Sequence, residues 1–303
     1  MPEHSDKPAF RANNQLKFLC EFMKILYQHQ EQSSFTATHL PCPCGEHHGC
    51  YSQRADGSGL CFSCGKNHPA NTRTSAYTPP RPIAPPSPPK PIQIVPDTAI
   101  FPTMFGVATS PFWLTFKRIT GTTPYGYIGI HNRQQSDIVF WYRNYEGKVL
   151  RGKVIRYNPS GFRRCKKENG EKELSIWLGE QGTPTPLWNE ELLPLSGNVD
   201  VVLLESEKSA AYALEMIRGF LWLATGGTGG ANDTKIRAVA DLLHGRRVFT
   251  MFDNDKAGNE ATEATIQRLR KYGVSAYPLR PQELFPTIPE KWDIADVITE
   301  GAL

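Results

Sequence analysis

The sequence is short of everything that would send it into a membrane or out of the cell. Its N-terminus is polar and charged, without the apolar stretch of a secretory signal, and no apolar run is long enough to span a bilayer. A cytoplasmic protein with no membrane partner is therefore expected. It also has no Gly-Lys-Ser/Thr phosphate loop, so a nucleoside-triphosphatase motor is not expected. It shows no internal repeat. Excess charge is scarce too: at +4 net, any polyanion must be met by local clusters rather than by the field of the whole molecule. Hydrophobic residues at 39% and charged residues at 21% exclude a disordered chain. Cysteine is present as seven residues, an odd number, with Cys42, Cys44, Cys61 and Cys64 gathered among histidines. That arrangement suits a metal site in a reducing compartment better than a secreted disulfide framework.

What is present divides into segments. A length of 303 residues gives room for about two domains, one good core and a smaller satellite. Leu16, Leu19, Phe22, Met23, Leu26 and Tyr27 recur at helical spacing between Asn13 and Gln32. The tract from Thr78 to Pro91 is so dense in proline that only an extended polyproline spacer suits it. Ile138 to Tyr157 alternates apolar and polar residues around a turn at Glu146-Gly147, which predicts a hairpin. From Val199 the pattern becomes strand and helix in alternation, with strands expected at 199–205, 220–225, 247–252 and 274–279 and helices starting near Ser206, Lys235 and Ala257. The boundaries are then 1–74 for a front module, 75–96 for the spacer, 97–197 for a basic α+β subdomain and 198–303 for an α/β body built on an open parallel sheet flanked by helices.

In the front module, Cys42-Pro43-Cys44-Gly45 and Cys61-Phe62-Ser63-Cys64-Gly65 are cysteine pairs that each run into glycine. Thiolates suit tetrahedral zinc, and glycine lets backbone amides approach the sulfurs. The second pair has the usual spacing. The first is tighter, so His47 rivals Cys42 as a ligand beside Cys44, with His39, His48 and Cys50 weaker candidates. A closed four-ligand site would be structural, because so small a segment hardly folds without its metal.

In the body, Val201-Val202-Leu203-Leu204-Glu205 and Val248-Phe249-Thr250-Met251-Phe252-Asp253-Asn254-Asp255 are apolar runs that end in acid. Continuous runs of this kind read as buried parallel strands, and ligands of open α/β sheets bind beyond the carboxyl ends of such strands. Glu205, Asp253 and Asp255 would then converge on one edge, where they repel unless divalent cations lie between them. Hard oxygen donors favour magnesium or manganese. Asp255 also suits a plain helix cap. Asp293 and Asp296 add a second acidic pair at i and i+3. Thr225-Gly226-Gly227 follows the second strand, and without β-carbons its amides can approach phosphate. Arg143, Lys148, Arg151, Lys153, Arg156, Arg163, Arg164, Lys166 and Lys167 form a basic run with little acid in it, interleaved with Tyr142, Tyr145, Tyr157 and Phe162. The basic run suits nucleic acid; the aromatics individually suit the core. His29, His131 and His244 are isolated and carry no assigned role.

Leu204-Glu205-Ser206-Glu207-Lys208, Thr225-Gly226-Gly227, Asp253-Asn254-Asp255-Lys256-Ala257-Gly258 and the Asp293/Asp296 pair together resemble the Toprim domain of primases, topoisomerases and some nucleases. Ser206 stands where phage-type primases have glycine, and it can cap the next helix. The segment Pro41 to Cys64 is similar to a primase zinc ribbon, and Tyr145 to Arg156 to the basic strands that precede a Toprim fold. The resemblance is thus to Toprim-type DNA primases of bacteria and phages, and a phage or mobile-element origin is expected. It implies Glu205, Asp253 and Asp255 as catalytic acids on magnesium or manganese, with Asp293 and Asp296 as further metal candidates. It places Lys208 and Lys256 near phosphate and gives zinc a structural role. The implied reaction is two-metal nucleotidyl transfer, joining ribonucleoside triphosphates on a single-stranded DNA template, with a replicative helicase or other replisome protein supplied in trans. The same features admit a non-synthesising single-stranded DNA-binding accessory, or a metal-dependent nuclease. From the cysteine spacing, metal analysis of the purified chain should find about one zinc per molecule, lost with Cys61→Ser/Cys64→Ser.

Overall fold

A computed structural model describes residues 35–40, 51–54, 59–61, 67–68, 92–105, 107–124, 127–132, 137–166, 173, 175–227 and 229–299. The expected helix at 13–32, most of the proline spacer, Lys167 and the ligand candidates Cys42, Cys44, His47 and Cys64 lie outside these residues. In the front segment β1 (Phe35–Leu40), β2 (Tyr51–Arg54), β3 (Gly59–Cys61) and β4 (Asn67–His68) form an antiparallel sheet in sequential order. Cys61 thus belongs to a strand.

After α1 (Asp97–Met104) and α2 (Pro111–Thr120) comes a second antiparallel sheet of β5 (Ile128–Asn132), β6 (Asp137–Arg143), β7 (Val149–Arg156) and β8 (Ile176–Leu178), again in sequential order. The expected hairpin is β6–β7. Its turn closes through Asn144, whose carbonyl accepts from Gly147 N and whose side chain accepts from Lys148 N. Gly147 takes φ +80°, where a side chain would be strained.

The body holds β9 (Asp200–Leu204), α3 (Glu207–Met216), β10 (Phe220–Ala224), α4 (Asp233–Leu243), β11 (Arg247–Met251), α5 (Lys256–Lys271) and β12 (Ser275–Pro278), then two short helices, α6 (Pro281–Leu284) and α7 (Ile294–Thr299). Its strands are all parallel, in the order β10-β9-β11-β12. Strand side chains alternate between faces, and the core follows that rule. Val202, Leu204, Trp222, Ala224, Phe249 and Met251 join a cluster with α3, α7 and one face of the β5–β8 sheet. Val201, Leu203, Leu221, Leu223 and Val248 join another with α4 and α5. The other face of the β5–β8 sheet, with Val139, Trp141 and Val154, is closed by Ile100 of α1. Strands buried on both sides explain why the sequence here reads as unbroken apolar runs. No helix among the described residues is long and apolar enough to cross a membrane.

One polar connection joins the two larger sheets. Glu207, fully buried in the first turn of α3, faces Lys153 of β7 at 2.9 Å and accepts a hydrogen bond from the Tyr142 hydroxyl of β6. Lys153 also donates to the Gly226 carbonyl at 2.8 Å. Burial pushes the Glu207 carboxyl up, but the Lys153 charge and the Tyr142 hydroxyl outweigh it and hold the group below the usual carboxylate range. Burial and Glu207 together push the Tyr142 phenol well above its ordinary value, so it stays a donor. A depressed folded pKa gives stability that is fully present above the unfolded carboxylate value and is lost as pH falls through the folded one. Lys153→Met should cost about 3–5 kcal/mol in denaturant unfolding at pH 7 by leaving a buried charge alone, and Lys153→Met/Glu207→Leu should recover much of that loss.

Candidate active site

The register of the parallel sheet sets the geometry of its C-terminal edge. Leu204 pairs with Ala224 on one side and Met251 on the other, so Glu205, Thr225-Gly226-Gly227 and Phe252-Asp253 all leave the sheet at the same edge. Glu205 and Asp253 follow adjacent strands and are both partly exposed. The loop after β10 is fastened across the end of β9: Thr225 N donates to Leu204 O at 2.9 Å, and Gly226 N and Gly227 N donate to Glu205 O at 3.0 and 2.9 Å. The amides expected to meet phosphate are therefore already satisfied by the backbone of Glu205. These glycines shape the edge instead of contributing donors to it. Gly226 takes φ +84°, and a β-carbon there would run into the Tyr142 hydroxyl. Underneath, buried Lys235 of α4 donates to Thr225 O at 2.8 Å, and burial holds its ammonium down to about 8.

The turn after β11 assigns its two acids different work. Asp255 accepts from Gly258 N at 2.7 Å and caps α5, while its own amide donates to Asp253 O at 2.8 Å. A β-carbon on Gly258 would strike the Asp253 carbonyl, which is why the Ala257-Gly258 start of the helix suits this tight return. Asn254 anchors the turn from behind through Ile288 O at 3.1 Å, Pro289 O at 3.0 Å and Trp292 O at 3.0 Å. Asp255 thus serves as the capping residue through Oδ1, while Glu205 and Asp253 follow the ends of adjacent strands. Among the described residues no group of three or more His, Cys, Asp or Glu side chains is assembled for a metal ion.

Asp293 and Asp296 bracket the start of α7 and cap it reciprocally. Asp293 Oδ1 accepts from Asp296 N at 2.9 Å, and Asp296 Oδ2 accepts from Asp293 N at 3.1 Å. Asp293 Oδ2 accepts from Ser209 Oγ at 2.7 Å and lies 3.6 Å from Lys208 Nζ. Asp296 Oδ1 lies 2.7 Å from Arg163 Nη1 and 4.0 Å from Lys208 Nζ. Lys208, expected near phosphate, is instead buried against these acids, with its ammonium 3.8 Å from the Phe162 ring centre. Burial pushes Asp293 up, but Lys208, Ser209 and backbone amides bring it below its ordinary value; burial and the Asp293 charge push Asp296 up. Lys256 remains exposed, 3.9 Å from Glu260.

The basic run is less bare than its sequence suggests, because acid and carbonyl partners arrive from elsewhere in the chain. Arg156 forms a forked pair with Asp137 at 2.7 and 3.2 Å, Lys153 meets Glu207, Arg163 meets Asp296, and Arg143 lies 3.8 Å from Glu191. Arg164 bonds Ser175 at 3.1 Å, and Lys148 pairs with Glu146 at 2.7 Å while staying half exposed. Tyr142 and Tyr157 are core residues and Tyr145 is exposed.

Sequence reasoning missed Glu207, Lys235 and Trp177. Glu207 and Lys235 read as ordinary polar positions in a first helical turn, and nothing local announces that tertiary packing buries both. Trp177 pairs across the sheet with Lys153 and lies tilted with its ring centre 5.4 Å from that of Tyr142, with Arg151 5.4 Å from its own ring centre, yet stays 38% exposed. An isolated Ile-Trp-Leu carries no signal for that placement. The cap reading of Asp255 is open to measurement: Asp255→Ala should lower stability by about 1 kcal/mol in thermal or denaturant unfolding, while Asp255→Asn and Asp255→Ser stay close to wild type.

Several solved structures are similar to this chain. The primase fragment of the bacteriophage T7 primase-helicase protein is 18% identical, with 89% of this chain and 96% of that one covered and a TM-score of 0.43. The Aquifex aeolicus primase, comprising zinc-binding and RNA polymerase domains, is 12% identical over 92% of this chain and 80% of that one, with a TM-score of 0.44. A DnaG primase catalytic domain bound to single-stranded DNA is 15% identical over 68% and 74%, with a TM-score of 0.46. No curated protein matches the chain. A family model does match residues 90–254, from the approach to α1 through the β5–β8 sheet to the turn after β11, and the chain belongs to that family, described as Domain of unknown function (DUF6371).

Proposed function

We propose that this chain is a primase-like nucleotidyl transferase, joining ribonucleotides on a single-stranded DNA template. The observation that carries the reading is the parallel register that delivers Glu205 and Asp253 to adjacent strand ends, beside a glycine loop and against a sheet rich in cations. Two carboxylates on one edge suit a hard divalent ion, since magnesium is commonly held by one or two carboxylates and completed by water and substrate phosphate. Bound there, magnesium or manganese would lower the pKa of an attacking 3′-hydroxyl and offset the charge that develops on the α-phosphate as its bond to pyrophosphate breaks and pyrophosphate leaves. Glu205 and Asp253 hold that position because the strands beneath them are buried on both faces and cannot shift. Lys256, exposed where the next helix begins, would meet phosphate.

The template would run along the edge of the β5–β8 sheet. Trp177 offers a half-exposed indole face next to Arg151, and such pairs stack bases without regard to sequence. Tyr145 and Lys148 at the β6–β7 turn extend the same exposed, cationic border. The cysteine-rich front module would hold structural zinc and read the template, tethered by the proline spacer so that its local concentration over the edge stays high. A helicase or replisome partner in trans, and a phage or mobile-element setting, belong to the same reading.

The test is one gel. Labelled single-stranded DNA, ribonucleoside triphosphates and manganese should yield short oligoribonucleotides. Glu205→Gln and Asp253→Asn should each lower the yield at least about a hundredfold, with stability unchanged in unfolding. Shortened DNA in place of new product would mean a nuclease. Binding without any product, indifferent to chelation, would mean an accessory that only holds the strand.

A further inference from the structure

Lys235 stands where an ammonium is unwelcome. It lies in the first turn of α4, at the positive end of that helix, and is 8% exposed. Among the described residues its ammonium is paired with no carboxylate; it donates to Thr225 O at 2.8 Å, with the Tyr142 ring centre 5.8 Å away. Lys153, under the same loop, differs, because Glu207 answers its charge at 2.9 Å. A buried cation that is desolvated, opposes a helix dipole and forms no ion pair calls for a reason. The peptide geometry of the loop supplies one. In a trans peptide the carbonyl and the amide of one unit point in opposite directions. The Thr225–Gly226 unit therefore has Lys235 on its oxygen at 2.8 Å and Glu205 O on its amide at 3.0 Å. The Gly226–Gly227 unit repeats this, with Lys153 on its oxygen at 2.8 Å and Glu205 O on its amide at 2.9 Å. A charge on the oxygen side polarises the unit and strengthens the bond made by its amide. Both units thus bear on the backbone of the residue that carries the candidate acid.

We propose that Lys235 is a positioning residue for Glu205: its charge, relayed through the Thr225–Gly226 peptide, fixes the end of β9 beside that of β11, and the edge works only while that charge is present. The inference rests on the reading of Glu205 as a metal-bearing acid. The charge is within reach of titration. Burial brings the Lys235 ammonium down to about 8; Glu207 of α3 and Glu190 of the 3₁₀ turn Glu190–Leu195 oppose that fall, and Lys153 of β7 adds to it. The folded chain gives up this proton at about 8, the unfolded chain at the ordinary lysine value of 10.5. Between the two the unfolded state binds more protons, so the contribution of this group to stability rises with pH. Function and stability therefore move in opposite directions over one range. A lysine with no part in the site would leave function unchanged there.

The experiment follows the Gly226 amide by NMR in the full chain carrying isotope-labelled glycine, and the oligoribonucleotide yield on a single-stranded template, from about pH 6.5 to about pH 9.5. The amide should titrate with a midpoint of about 8, and the yield should fall through the same midpoint towards the level of Lys235→Met. At about pH 7, Lys235→Met should give about ten- to a hundredfold less product than wild type, and its Gly226 amide should lack the midpoint. In denaturant unfolding, the difference between the two proteins should shift in favour of wild type as pH rises through that range. Should Lys235→Met fail to fold, coincidence of the two wild-type midpoints decides alone. A Gly226 amide that does not titrate, or a yield that falls identically in Lys235→Met, overturns the inference and leaves the proposed reaction standing. A wild type that makes no product at any pH, while Gly226 titrates, overturns the proposed reaction and the positioning role with it.

Discussion

A charge that is taken out of water must be met inside the protein, and the Glu207–Lys153 pair is where this molecule meets that constraint. Glu207 is wholly buried between two sheets, so its carboxylate is tolerable only while the Lys153 ammonium and the Tyr142 hydroxyl face it. Those partners come from the β6–β7 hairpin, Glu207 comes from α3, and Lys153 reaches on to the carbonyl of Gly226. One buried pair thus sets how the antiparallel sheet approaches the parallel one. It also sets where the glycine loop lies relative to the end of β9. Because the loop amides in turn bond Glu205 O, the position of the candidate catalytic acid is tied to the same contact.

Around that fixed point, acids of similar appearance do different work. Glu205 and Asp253 leave adjacent strands at one edge. Asp255, two residues on, spends its carboxylate on the first turn of α5. Asp293 and Asp296 spend theirs on each other's amides and on cations drawn from α3 and the loop after β7. The cations divide the same way: most of the basic run is paired, while Trp177, Tyr145, Lys148 and Lys256 stay exposed. An edge where two acids follow adjacent strands, beside a partly neutralised cationic rim, is a narrower site than the motif list implies.

The alternating pattern from Val199 predicts the body well. Strands expected at 199–205, 220–225, 247–252 and 274–279 run at Asp200–Leu204, Phe220–Ala224, Arg247–Met251 and Ser275–Pro278. Helix entry is equally legible, since Ser206, Asn232 and Asp255 cap α3, α4 and α5 through their side chains. These features are local: apolar runs, capping residues and glycine turns act over a few positions. The hairpin at β6–β7 was readable for the same reason. What escaped was every partner supplied from afar. Lys153 meets Glu207 across 54 residues, Arg163 meets Asp296, and Lys208 meets Asp293.

The sequence by itself therefore determined the strand–helix alternation, the edge on which Glu205 and Asp253 emerge, and the presence of a cysteine-rich module ahead of a proline tract. Only the tertiary structure decided which charges are answered by partners distant in the sequence. The physical reason is range: backbone propensity and side-chain periodicity are written in neighbouring residues, whereas the fate of a charge depends on whatever the fold brings within about 4 Å of it.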